Sequence, residues 1–142
     1  DDALLVDAAP KGSQSADNSL LAISDSILTL DTATLEEFSS DRSFLIEVCE
    51  SFLVDAPIRL KELESALNHR DAQTLVQTAH ALKSLSSCVG AMRLFQICQS
   101  IEAASREGPE IASAAVAHQV ATEYSQVQLA VQDYQNTQRA SL

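Results

Sequence analysis

Thr78-Ala-His80-Ala-Leu-Lys83-Ser-Leu-Ser-Ser87-Cys-Val-Gly90 lies near the middle of the chain, and its apolar spacing is that of a helix. At ~100° per residue, Leu75, Ala79, Leu82, Ser86 and Val89 fall on one narrow stripe at i, i+4, i+7, i+11 and i+14. His80 stands off that stripe. Gln73, Gln77, Ser84 and Ser87 fall around it on the same wheel, and Lys83 sits one turn further along the edge of that face. The imidazole is therefore expected to point to solvent.

The pattern continues on both sides of this segment. Asp31-Thr-Ala-Thr34 starts a short helix, with Asp31 positioned to cap the amide groups and Leu35 and Phe38 as its apolar edge. Ser40 or Asp41 opens a longer helix to Asn68 that turns Leu45, Cys49, Phe52, Ala56, Leu60, Leu63 and Leu67 inward. Pro57 interrupts it; an interior proline costs roughly 3 kcal/mol in a straight helix, so a kink near Val54 to Ala56 or a break into two helices is expected. Asn68-His-Arg-Asp71 forms the next turn, Asp71 caps the His80 helix, and Gly90 ends or bends it. Leu94, Ile97, Cys98, Ile101 and Ala104 make another helix before Gly108-Pro109. Val116, Val120, Tyr124, Val127, Val131 and Tyr134 make the last. Four long helices joined by short turns predict an all-α fold, an antiparallel up-down four-helix bundle with a short extra N-terminal helix. Residues 1–19, rich in Ala, Ser and Asp around Pro10-Lys11-Gly12, read as a flexible linker, leaving 20–142 as the bundle.

Composition agrees and narrows the function. A chain of 142 residues is one domain with room for a single core. Four Phe, two Tyr and no Trp leave that core to Leu, Val, Ile and Ala, and three Gly with three Pro are too few for the turns of an all-β fold. A net charge of −11 repels phosphate backbones, which argues against nucleic-acid binding. No run approaches the ~18 apolar residues of a membrane span, and the first residues lack a signal peptide's pattern. A cytoplasmic domain without direct membrane contact is expected. Cys49, Cys88 and Cys98 are odd in number and unpaired in spacing, so they read as reduced, with Cys49 and Cys98 in the core. The only methionine is Met92, and the chain reads as a piece of something longer.

Among the three histidines, His69 falls in a turn and His118 lies off the Val116/Val120 stripe; both read as solvated. His80 has two readings from spacing alone, an exposed side chain of no consequence or a nucleophile. Bundle metal sites use Glu-x-x-His or His-x-x-x-His pairs, whereas Ala66, Gln77 and Ala115 stand three before the histidines, so no metal is expected. Neither a Ser or Cys nucleophile with its base nor a Gly-rich nucleotide loop is visible, so neither an enzyme's active site nor an ATP site is expected. A neutral imidazole can still attack phosphorus, with Lys83 offsetting the charge on the phosphoryl oxygens. Small residues at Ser84 and Ser87 would let a partner's active site approach.

The run His80-Ala-Leu-Lys83-Ser-Leu-Ser86-Ser87-Cys-Val-Gly90-Ala91, continued by Leu94, Cys98 and Ile101-Glu102, resembles the histidine-containing phosphotransfer (HPt) domain of multistep phosphorelays. The likeness reaches upstream to Phe44, Phe52, Asp55-Ala-Pro57 and Asp71 and covers about residues 30 to 107. It implies that His80 accepts a phosphoryl group from a receiver-domain aspartate and passes it to another receiver, with Lys83 assisting electrostatically. It also implies that Gln77, Ser84, Ser87 and Gly90 belong to the docking and access surface, with Gly90 permitting close packing at the helix end. Magnesium belongs to the receiver in this family, so no cofactor is expected here. The position four after the histidine is commonly glycine; Ser84 stands there and bears on the rate of transfer. Such domains often end bacterial hybrid sensor kinases, some anchored in the inner membrane, and the linker-like start fits that placement. The alternative is an interaction module that binds a receiver without chemistry. A kinase dimerisation domain would need a second chain, whereas four helices in one chain predict a monomer.

Overall fold

The computed structural model describes residues 23–24, 26–107 and 113–142. The expected linker at 1–19, the Gly108-Pro109 stop and the Phe38 side chain lie outside what it describes. Five helices follow in order: α1 (Thr32–Phe38), α2 (Arg42–His69), α3 (Ala72–Val89), α4 (Met92–Glu107) and α5 (Ser113–Ala140). The last four form the bundle, with α3 packed on both α2 and α4 and α5 closing chiefly against α2.

Three aspartates start three of these helices, because a short carboxylate in extended backbone can accept from amides that have no partner in the first turn. Asp31 accepts from Ala33 N, Asp41 from Ser43 N and Phe44 N, and Asp71 from Thr74 N. Threonine 74 also donates its hydroxyl to Asp71 at 2.7 Å, and these bonds lower the Asp71 pKa. The helix α2 runs unbroken through Pro57, which removes the two-helix alternative. It ends on Arg70 in the left-handed region, whose amide reaches back to the Ala66 and Leu67 carbonyls.

The core is aliphatic, as the composition requires. Leu45, Cys49, Phe52, Ala56, Leu63 and Leu67 of α2 meet Leu75, Ala79, Leu82 and Val89 of α3, Leu94, Ile97 and Ile101 of α4, and Val116, Val120, Val127 and Val131 of α5. Leu60 is only partly buried. Burial pushes the Cys49 thiol to about 11 and the Cys98 thiol to about 12, leaving both protonated at neutral pH.

Gly90 permits close packing at the helix end, as expected, and lies beneath the docking and access surface rather than on it: it is buried at the C-cap of α3 with φ 77°, and its carbonyl accepts the Asp31 amide at 2.7 Å. A Cβ there would overlap the Asp31 carbonyl oxygen. Its role is to let α1 pack against the α3–α4 turn, where a left-handed backbone is needed and no side chain fits.

Candidate functional site

The site is built by the α3–α4 hairpin. His80 and Glu102 each lie eleven residues from Ala91, so the turn at Gly90-Ala91 sets them opposite one another on adjacent antiparallel helices. The His80 side chain is 60% exposed, while that of Glu102 is only 8% exposed.

Three nitrogens converge on the Glu102 carboxylate. Lys83 Nζ lies 2.7 Å from Oε1, Arg106 Nη2 lies 2.7 Å from Oε2, and His80 Nδ1 lies 3.2 Å from the same Oε2. Lys83 and then Arg106, with a smaller part from His80, hold the Glu102 carboxyl down from its ordinary 4.5 to about 2, against the opposing effect of burial. At neutral pH Glu102 is therefore an ionised acceptor with no proton of its own to give. His80 Nδ1 must be the donor in their hydrogen bond, which fixes the neutral ring's tautomer with its lone pair on Nε2. That nitrogen has no partner among the described residues.

This arrangement predicts acid sensitivity. The folded pKa lies below the ordinary one, so the stabilisation is complete above about 4.5 and is lost as pH falls toward about 2. The urea midpoint should fall across that window, and less steeply in Glu102→Gln. Parallel profiles for the two proteins would mean that the network adds nothing to stability.

The surrounding residues fall partly as expected. Gln77 and Ser84 are exposed on the His80 face; Ser87 is half-buried and donates its hydroxyl to the Ser84 carbonyl at 2.9 Å. Lys83 is not a free cation: its side chain is 21% exposed and pinned on Glu102. His69 ends α2 rather than sitting in the turn, and its Nδ1 donates to the Ser65 carbonyl at 2.7 Å, while His118 is exposed on α5. No group of three His, Cys, Asp or Glu among the described residues could hold a metal ion.

Spacing within α3 could not find Glu102, twenty-two residues away, or Arg106. Two signals were available: the i,i+4 Glu102/Arg106 pair on α4, and the symmetry of positions 80 and 102 about Ala91 in the turn after α3.

The geometry thus presents an exposed imidazole on a four-helix bundle, its Nδ1 held by a buried carboxylate and its Nε2 without a partner among the described residues. The family model for the Hpt domain matches residues 47–130, more than half of the chain. The chain belongs to the Hpt domain family, whose members carry phosphoryl groups in two-component phosphorelays. Among solved structures it is similar to histidine-containing phosphotransfer protein B from Pseudomonas aeruginosa PAO1, with 28% identity, a TM-score of 0.71, and 77% of this chain and 96% of that chain covered. The HPT domain from the Hpt sensor hybrid histidine kinase from Shewanella shares the fold, with 22% identity, a TM-score of 0.66 and coverages of 77% and 95%. A comparison with curated proteins found no match.

Proposed function

We propose that His80 is the phosphorylated residue of this domain, receiving the group from a receiver aspartate and delivering it to a receiver. The observation that carries this reading is the single hydrogen bond from Nδ1 to Glu102, which leaves the Nε2 lone pair exposed and nucleophilic. In transfer, that lone pair forms the N–P bond, the acyl-phosphate P–O bond breaks, and its electron pair stays on the aspartyl carboxylate. The Nδ1 proton remains on the hydrogen bond, so no base has to remove it, and Glu102 offsets the positive charge the ring acquires. Lys83 stabilises the phosphoryl oxygens. Gln77 and Ser84, with Ser87 beside them, form the surface over which the receiver approaches.

On this reading the domain is a carrier with no nucleotide site or cofactor of its own, and magnesium enters with the receiver. It works as a cytoplasmic monomeric unit within a hybrid sensor kinase. No helix among the described residues is long and apolar enough to cross a membrane. Incubation with a phosphorylated receiver should transfer label in an acid-labile, base-stable form that maps to the His80 peptide. Stable receiver binding without any label would support the interaction module instead, and label on another peptide would remove His80 from this role.

A further inference from the structure

The charge around Glu102 does not balance. One carboxylate faces two permanent cations, Lys83 and Arg106, in a chain that has only nine Lys and Arg and a net charge of −11. Two of those nine cations crowd one acceptor, and a single cation would neutralise it. The surplus positive charge lies beside His80, because the imidazole and the Arg106 guanidinium both touch Glu102 Oε2, within 3.2 Å and 2.7 Å.

We infer that Arg106 is a second phosphoryl-stabilising residue, poised on Glu102 until the group arrives on His80; the inference rests on the His80 reading above. The two cations differ in freedom. Lys83 is 21% exposed and its ammonium is drawn to Oε1, whereas Arg106 is 61% exposed. Arginine carries five N–H donors in a planar fork, of which Arg106 has one Nη2 contact on Glu102. It can keep that contact and offer other N–H groups to a phosphoryl oxygen on Nε2. A phosphoryl group brings about two negative charges, one of which the surplus cation at this site would offset. Glu102 thus positions both the ring and the guanidinium, and Arg106 would touch the transferred group.

A plainer role for Arg106 exists, an i,i+4 partner for Glu102 in the last turn of α4, where a cation suits the helix C-terminus. The two roles separate by a readout on phosphorus. Wild type, Arg106→Ala and Arg106→Lys would be phosphorylated with potassium phosphoramidate and followed by 31P NMR across pH, and the partition of label with a phosphorylated receiver would be measured alongside. If Arg106 contacts the group, Arg106→Ala raises the pH at which the phosphoryl resonance titrates and shifts the partition about tenfold toward the receiver. Arg106→Lys recovers part of both, and the thermal midpoint stays near that of wild type. Identical 31P titrations in wild type and Arg106→Ala, with wild type phosphorylated on His80, overturn this inference and leave the His80 assignment standing. Wild type that takes no phosphoryl group on His80 overturns both.

Discussion

His80→Gln should take up no label from a phosphorylated receiver while unfolding at the same urea concentration as wild type. The two halves of this expectation have separate causes. Glutamine can donate its amide N–H to Glu102, but its nitrogen lone pair is delocalised into the carbonyl, so it cannot attack phosphorus and transfer falls to background. Stability is indifferent because the ring is 60% exposed and makes one 3.2 Å contact. Removing it leaves Glu102 held by Lys83 and Arg106, so no buried charge is orphaned. Exposed substitutions of this kind typically stay within about 0.5 kcal/mol. Transfer assays and urea titrations on the same preparations check both halves. Label persisting in the mutant would place the acceptor elsewhere, and the exposed His69 and His118 would be the residues to map.

The contrast between Asp71 and Glu102 explains which parts of the molecule the sequence reveals. Asp71 acts on Thr74, three residues away in the same turn, so its role follows from helix geometry and residue type alone. The same holds for Asp31, Asp41 and the Leu75 to Val89 stripe, and the bundle follows once the helix lengths and short turns are known. Glu102 acts on residues of another helix. Its partners depend on the register of α3 against α4 and on how far each is rotated, which periodicity leaves free. Gly90 shows the same limit from the other side. Its position as a helix stop was legible, but its contact with Asp31, which makes the missing side chain necessary, depends on where α1 returns to the bundle. Pro57 was legible as a disturbance and not as its outcome, because packing of Phe52, Ala56 and Leu63 on both sides carries α2 through it.

Arg93→Ala should be the most destabilising of these substitutions. Arg93 sits nine residues before Glu102 on α4, which is half a turn around the helix and so on the opposite face from His80. There its Nε donates to Glu123 Oε1 of α5 at 3.1 Å, and its Nη1 donates to the Ser24 carbonyl at 2.8 Å, tying the segment before α1 to two helices. Glu123 is 9% exposed at its side chain, and its Oε2 is buried with no hydrogen-bond partner. Arg93 is thus the only cation paired with that carboxylate among the described residues. Removing it strands a buried charge, for which the expected cost is about 3–5 kcal/mol, read from urea titrations. If the stranded charge is the cause, Arg93→Ala combined with Glu123→Leu should recover most of the loss, because an apolar side chain needs no counter-ion in the same space. A loss that persists in the double variant would instead put the cost in the Ser24 tether. Since this ion pair lies across α4 from His80, the folded fraction of Arg93→Ala should still accept label.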